Sequence, residues 1–320
     1  MARIRFVVPL TMALILTPPV GAQSHTRDPE MLAGDSPQSH SRWVNDSDSS
    51  PASALALSYT SLSFPGSTNT YASGINNLGW VVGQYDDSTG AGHGFIYRNG
   101  TYSSFDVPEA LDTEPGGIND LGEIVGAYEG TDSRTHGFLK RQEGFTAIDY
   151  PGAAATVPYG INSAGQIVGL FDEAGSGNYQ GFLYESGQFT LIKFPGAINT
   201  AAYGINNYGQ IVGSYAPAGA SDILGFVDNA GTFSSVTIPG TTNPNLMGIS
   251  DRGLIVGSGQ FLRHGSTVQE GFFDVQGTLV QVLYPGAEST VIFGVNSKGQ
   301  MVGNYYFNGQ YGLITTLSAR

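Results

Sequence analysis

Short apolar segments with a period of two alternate with turn residues along most of the chain, and one phrase recurs among them. The phrase begins Gly-Ile-Asn, reaches a glycine three residues after the asparagine, and continues into an apolar segment that ends Val-Gly. Its six copies begin at Gly74, Gly117, Gly160, Gly204, Gly248 and Gly294. The copies are therefore 43 to 46 residues apart. A period of this length that contains only strand and turn signals is typical of a β-propeller or another closed array of small sheets.

The first copy predicts four short strands. They are expected at residues 71–76, 80–85, 93–97 and 102–107. Asn99 and Gly100 form the pair that favours a tight hairpin turn, and Pro108 ends the fourth strand because proline cannot donate a hydrogen bond to a sheet. Four strands within one repeat match one propeller blade.

The two ends of the repeat array complement each other. The last repeat, which begins near Thr290, is one strand short, whereas Tyr59 to Phe64, followed by Pro65 and Gly66, has the fourth-strand pattern before the first repeat. The sequence therefore predicts an all-β, six-bladed β-propeller of four-stranded blades whose last blade is closed by the N-terminal strand. Closure would remove two open sheet edges. An open solenoid is the alternative.

The third strand of each repeat carries a second motif, with His93-Gly94-Phe95 in the first copy and His136-Gly137-Phe138 in the second. Together with the Asn-x-x-Gly turn and the Val-Gly strand, this pattern over residues 58–317 resembles the HAF repeats of bacterial extracellular proteins. Glycine stands here where the family name has alanine, and the histidine occurs in only two copies. The resemblance implies a secreted repeat protein, and it brings no catalytic residues.

The first 22 residues have the pattern of a secretory signal peptide. Arg3 and Arg5 precede an apolar run at 6–15, which is too short for a permanent membrane span, and small residues follow up to Ala22. We expect cleavage near Ala22 and a secreted, extracellular or periplasmic protein. An uncleaved N-terminal anchor is the alternative.

The next segment, 23–57, is rich in Ser, Asp, Pro and His and has no apolar period. It is expected to be a disordered leader, with the repeat domain at 58–320. No later segment is apolar enough to enter a membrane. We expect the mature chain to be a monomer.

Composition excludes several functions. The chain has 26 acidic and 13 basic residues, which makes nucleic acid an improbable partner because phosphate binding needs a basic surface. It has no cysteine, so disulfides, thiol nucleophiles and thiolate metal sites are absent. The common hydrolase, metalloprotease, phosphate-loop and dinucleotide motifs are also missing.

Candidate chemistry lies in the loops that differ between repeats, which join the second strand to the third and one repeat to the next. These loops are expected on one face of the propeller, where ligands usually bind. Their acids are Asp86, Asp87, Glu129, Asp132, Asp172, Glu173 and Asp222. They suggest a calcium site or a carboxylate pair for glycan chemistry, or a solvated acidic rim, since no fixed calcium-loop spacing is present. No other cofactor is expected.

Two further sets of side chains are ligand-binding candidates. His93 and His136 hold the same position in neighbouring repeats, where they either share a metal or make a repeated structural hydrogen bond. Tyr159 and Tyr203 precede repeat glycines and form either an aromatic floor for a sugar or simple packing of inner strands.

Three functions fit these observations. The leading hypothesis is a secreted binding module for a glycan or an exported protein, which acts through the variable loops without catalysis. The second is a polysaccharide-directed lyase or hydrolase that uses the loop carboxylates. The third is a structural component of a cell surface or matrix.

Overall fold

The computed structural model describes residues 40–43, 55–173, 176–263, 265–275 and 278–319, and within them it contains strands and no helix. The predicted signal peptide lies outside the described residues. In chain order the strands are β1 His40–Trp43, β2 Leu55–Leu62, β3 Asn69–Ile75, β4 Val81–Asp86, β5 Gly92–Arg98, β6 Thr101–Phe105, β7 Asp112–Ile118, β8 Ile124–Glu129, β9 Thr135–Arg141, β10 Gly144–Ile148, β11 Ala155–Ile161, β12 Ile167–Asp172, β13 Tyr179–Glu185, β14 Gln188–Ile192, β15 Ala197–Ile205, β16 Gln210–Pro217, β17 Leu224–Asn229, β18 Thr232–Val236, β19 Thr241–Ile249, β20 Ile255–Arg263, β21 Ser266–Val275, β22 Thr278–Val282, β23 Ser289–Val295, β24 Gln300–Tyr306 and β25 Gln310–Ala319.

Each of the first five repeats forms an antiparallel four-stranded sheet, as the sequence pattern predicts. The sheets are β3 to β6, β7 to β10, β11 to β14, β15 to β18 and β19 to β22, each in chain order. The second and third sheets are joined by a single parallel bridge between Ala155 and Thr135. The turn at Asn99 and Gly100 has positive φ at both residues, 51° and 81°, as expected for this hairpin type.

The N-terminal strand pairs with the last repeat, which confirms that sequence-based expectation. Strand β2 runs antiparallel to β25, with Leu55 opposite Ala319 and Leu62 opposite Gly312, in the sheet β1-β2-β25-β24-β23. Leu57 is 4% exposed and packs in the same cluster as Leu313. The pairing thus extends to both sides of residue 58.

The N-terminal boundary differs from the expected one. The predicted start of the repeat domain at 58 falls inside β2, and four residues of the expected leader form β1, which pairs antiparallel with β2 from His40 opposite Tyr59. Backbone hydrogen bonds along a sheet edge do not require an apolar period, so the sequence pattern gave no sign of β1. The rest of the segment 23–54 lies outside the described residues.

The core lies within and between adjacent sheets. The phenylalanine of each Gly-Phe motif is at most 1% exposed, as in Phe95 and Phe138. Neighbouring sheets are also joined by aromatic pairs, each formed by the residue before a strand-four proline and a second-strand residue of the next sheet. These stacked pairs, with ring centroids 3.6 to 3.8 Å apart, are Phe64 with Tyr85, Tyr150 with Phe171, Phe194 with Tyr215, and Tyr284 with Tyr305.

The repeated Gly-Ile-Asn glycine is explained by close approach of the inner strands. A Cβ on Gly117 would lie 2.5 Å from the backbone oxygen of Tyr159, and a Cβ on Gly204 would lie 2.9 Å from the Cα of Gly248. A Cβ on Gly294 would lie 3.3 Å from the backbone oxygen of Ser73, which is tight but less severe. Side chains at Gly117 and Gly204 would therefore collide with the neighbouring inner strand, which explains the glycine at these positions.

Candidate functional site

Alternating strand directions divide the loops between two faces. One face, which we call the variable face, consists of the loops 63–68, 87–91, 106–111, 130–134, 149–154, 173 with 176–178, 193–196, 218–223, 237–240, 283–288 and 307–309. The opposite face, which we call the turn face, consists of the turns 76–80, 99–100, 119–123, 142–143, 162–166, 186–187, 206–209, 230–231, 250–254 and 296–299. Every acid proposed from the sequence lies on the variable face or at the strand end that leads into it.

Asp86, Glu129 and Asp172 hold equivalent positions at the ends of β4, β8 and β12. Asp86 is only 4% exposed and accepts a hydrogen bond of 3.0 Å from the Nδ2 of Asn69. Of the alternatives that the sequence left open, a solvated rim is therefore wrong for Asp86, which is buried and bonded to the paired strand β3 of its own sheet. Glu129 is partly buried.

Asp172 and Glu173 are adjacent and partly buried. Burial, and secondarily the charge of Glu173, raises the pKa of Asp172. A carboxyl group that keeps its proton more readily than usual can act as an acid, which is the observation most favourable to catalysis. Asp222 is exposed and accepts a hydrogen bond of 3.2 Å from Ser221.

His93 is held between two carboxylates. Its Nδ1 is 3.0 Å from Asp106, its Nε2 is 3.6 Å from Asp87, and its ring stacks on Tyr85. Burial lowers the pKa of His93, but the hydrogen bonds and charges of Asp106 and Asp87 outweigh burial, so that the pKa is raised. Hydrogen bonds, first from Thr89, lower the pKa of Asp87 to about 2.

His136 repeats this arrangement in the second sheet. Its Nδ1 is 3.1 Å from Asp149, its Nε2 is 3.2 Å from Asp132, and its ring stacks on Tyr128. Burial again lowers the pKa of His136, and its hydrogen bonds to Asp149 and Asp132, together with their charges, again raise it above the usual value. Each histidine thus makes the repeated hydrogen bond that one of the two sequence-based interpretations expected.

The two histidine sites differ in the residues that lie beside them. A cavity of ≈ 210 Å³ opens beside His136 and is bordered by Arg134, Asp149 and Ala155. At the position equivalent to Ala155, the first site has Asp112, whose Oδ1 accepts a hydrogen bond of 3.1 Å from Gln84. Its Oδ1 lies 2.0 Å from where a Cβ on Gly92 would be, which is the place that the side chain of the equivalent residue Thr135 takes in the second site.

Tyr159 and Tyr203 lie on inner strands, next to the repeat glycines. A β-bulge precedes each repeat glycine, and the bulged residues line a cavity of ≈ 80 Å³ formed by the inner strands of all six repeats. The two rings pack edge to face with centroids 5.1 Å apart, and burial raises the pKa of both hydroxyls. A water occupies about 30 Å³, so this space suits two or three waters better than a sugar.

Sequence reasoning missed a polar ring on the turn face. Its members follow the repeated Asn and read Asn77, Asp120, Ser163, Asn207, Asp251 and Ser297. Asn77 donates from both backbone and side chain to Asp120, and Asn207 does the same to Asp251. The order Asn, Asp, Ser occurs twice around the ring and was a visible signal. These polar groups therefore form hydrogen bonds with one another.

No three His, Asp or Glu side chains in the described part of the chain are placed to hold a metal together. Calcium binding therefore stays a prediction from the sequence. Among the described residues, no helix is long and apolar enough to cross a membrane.

Comparison with protein families and with curated proteins finds no match for this chain. Comparison with solved structures does find proteins of similar fold. A gluconolactonase from Xanthomonas campestris is 13% identical with a TM-score of 0.50, and the alignment covers 82% of this chain and 90% of that one. A variant of Aleuria aurantia lectin in complex with Fucα1-6GlcNAc is 10% identical with a TM-score of 0.50, covering 81% and 96%. The lectin is itself a six-bladed β-propeller. The likeness to it at a TM-score of 0.50 shows that this chain has a β-propeller fold.

Proposed function

We propose that this chain is an exported protein of the HAF-repeat type, that its repeats close into a six-bladed propeller, and that its variable face binds a glycan. Closure is supported by the pairing of β2 with β25, and by the hydrogen bond from Asn296 to Asn76 across 220 residues. Export is supported by the charged, apolar and small-residue pattern of positions 1–22.

The observation that carries the binding function is the open cavity beside His136 on the variable face. His136 and Asp149 border this cavity, and hydrogen bonds of 3.1 to 3.2 Å to Asp149 and to the neighbouring Asp132 fix the His136 ring. Polar groups held in fixed orientations beside a concave surface are what recognition of sugar hydroxyls requires. The turn face, by contrast, satisfies its polar ring internally.

The lectin likeness supports a glycan as the ligand, because that propeller holds a disaccharide on the same general scaffold. A propeller can host many functions, so the scaffold alone does not decide between binding and catalysis. The raised pKa of Asp172 beside Glu173 favours hydrolysis as the second candidate function.

A glycan array with and without calcium tests this proposal. We expect binding by the wild type, and loss or change of binding when two variable-face acids are reversed together, Glu173→Lys with Asp222→Lys. The matched control reverses two turn-face acids, Glu143→Lys with Glu185→Lys, and should bind as the wild type does. Surface substitutions of this kind usually change stability by less than about 0.5 kcal/mol.

The outcomes separate the candidates. Loss of binding in the turn-face variant alone would place the ligand on the opposite face. Cleavage of a bound polysaccharide, detected as new reducing or unsaturated ends and abolished by Asp172→Asn, would favour the enzyme. If no glycan binds, the glycan proposal is wrong and an exported protein becomes the ligand to seek.

A further inference from the structure

One cavity of the variable face lies beside His136. It is the ≈ 210 Å³ cavity bordered by Arg134, His136, Asp149, Tyr150 and Ala155, which we call the His136 cavity. The residues 43 positions earlier repeat its His and Asp as His93 and Asp106, but Ala91 and Asp112 stand where the cavity has Arg134 and Ala155. The histidine and its aspartate thus occur twice, and Arg134 and Ala155 distinguish the second site.

We propose that the His136 cavity binds one neutral monosaccharide unit of the glycan. The proposal rests on the function proposed above and names its binding site. A volume of ≈ 210 Å³ equals that of about seven waters at about 30 Å³ each, which is enough for a single sugar ring and too little for a longer chain.

The polar groups of the cavity suit a pair of adjacent sugar hydroxyls. Arg134 donates a hydrogen bond from Nη2 to the backbone oxygen of Ala153, and the other N–H groups of its guanidinium stay available as donors. Asp149 binds His136 through Oδ2 and accepts from the backbone N of Gly137 at 3.3 Å through Oδ1. A carboxylate has about four acceptor sites, so Asp149 keeps capacity for a hydroxyl donor.

The charges of the cavity favour a neutral ligand over an acidic one. Two carboxylates, Asp132 and Asp149, flank His136, and Arg134 is the one arginine at the cavity wall. With His136 protonated the four groups sum to zero, and with His136 neutral they sum to a negative charge. With His136 neutral this negative charge repels an anionic sugar or a phosphate, and with His136 protonated an anion gains no net attraction. Tyr150 and Pro151 supply the apolar part of the wall for the C–H surface of a sugar ring.

The test is saturation-transfer NMR of the full chain with methyl glycosides of glucose, galactose, mannose, fucose and N-acetylglucosamine, and with glucuronic acid as the anionic probe. At least one neutral glycoside should bind the wild type. Asp149→Asn and Ala155→Leu should each weaken it about tenfold or more, the first by removing a charge-assisted hydrogen bond and the second by filling the space. Asp106→Asn, the same change at the first histidine site, should leave affinity unchanged.

Circular dichroism and melting temperature establish that each variant is folded, and Ala155→Leu keeps the test decisive if Asp149→Asn unfolds. Neutral glycosides that bind Ala155→Leu and Asp149→Asn as tightly as the wild type would overturn the cavity assignment. Preference for glucuronic acid would overturn the ligand class. Array binding that is lost in the Glu173 and Asp222 double variant but kept in Ala155→Leu would reject this cavity while preserving the proposed function. An array that shows no binding, together with silent NMR, would reject both.

Discussion

Asn296 donates a hydrogen bond of 3.0 Å from its side-chain Nδ2 to the backbone oxygen of Asn76, although 220 residues separate the two. The same bond joins successive repeats at 3.0 to 3.2 Å, from Asn76 to Asn119, Asn119 to Asn162, Asn162 to Asn206, and Asn206 to Ser250. The Oδ1 of each asparagine meanwhile accepts backbone N–H groups of its own turn, as Asn296 does from Lys298 and Gln300. The repeated asparagine therefore shapes its turn and links it to the next repeat.

Replacing Asn296 by Ala should destabilise the protein by about 1–3 kcal/mol, because buried backbone groups lose their partners. The fifth repeat has Ser250 at this position, and its Oγ accepts only from the backbone N of Leu254, at 3.2 Å. Ser250→Asn should therefore stabilise the fold by about 1 kcal/mol, the net value of one hydrogen bond. Urea unfolding measures both variants, with Ser250→Ala as the control that adds no donor. If Ser250→Asn and Ser250→Ala have equal stability, the hydrogen bond between repeats contributes nothing at that position.

Two truncations test the role of strand β2. Removing residues 23–54 takes away β1 and leaves β2 whole, and we expect the melting temperature to fall only slightly. Removing residues 23–66 takes away the strand that pairs with β25 and the buried side chains Leu57, Tyr59 and Leu62, so the protein should unfold or aggregate. Calorimetry and light scattering follow both products. Equal melting temperatures would show that β2 does not hold the last sheet together.

Gly165 has a φ of +78°, as its place in a tight turn predicts, and an added Cβ would meet nothing within 4 Å. Any loss of stability on substitution therefore comes from the backbone alone. Gly165→Val should cost about 1–2 kcal/mol or more, since β-branched residues strongly disfavour this region. Gly165→Asn is the matched control and should cost less, because asparagine tolerates positive φ. The two costs come from denaturant unfolding, and an equal loss for both would contradict the backbone explanation.

The raised pKa values of His93 and His136 make stability depend on pH. Below the unfolded pKa of about 6.5 the ion pairs contribute fully, and the contribution is lost as the pH rises through the folded pKa. The double variant His93→Gln with His136→Gln should therefore be less stable than the wild type at about pH 5.5, by about 0.2–1 kcal/mol for each exposed pair, and closer to it at about pH 8.5. Gln180 occupies the equivalent position in the third repeat, so glutamine suits this site. A stability difference that is the same at both pH values would contradict the linkage.

The features that are local to one repeat could be predicted from the amino-acid sequence. The period, the four strands of each sheet, the Asn99-Gly100 turn and the positive φ of Gly165 follow from alternation and turn chemistry, which depend on residues close in the chain. The fourth-strand pattern before the first repeat also predicted the partner of β25, because strands of one type recur in equivalent places.

Side-chain contacts between residues that lie apart in the chain could be seen only in the folded structure. Asp86 has the sequence setting of a loop acid, yet it is buried and accepts a hydrogen bond from Asn69 on the paired strand β3. His93 and His136 have the same sequence setting, yet the following repeat contributes Asp112 beside the first histidine and Ala155 to the cavity wall beside the second. The local pattern carries no information about such contacts, because they depend on side-chain volume and hydrogen bonding between residues brought together by packing.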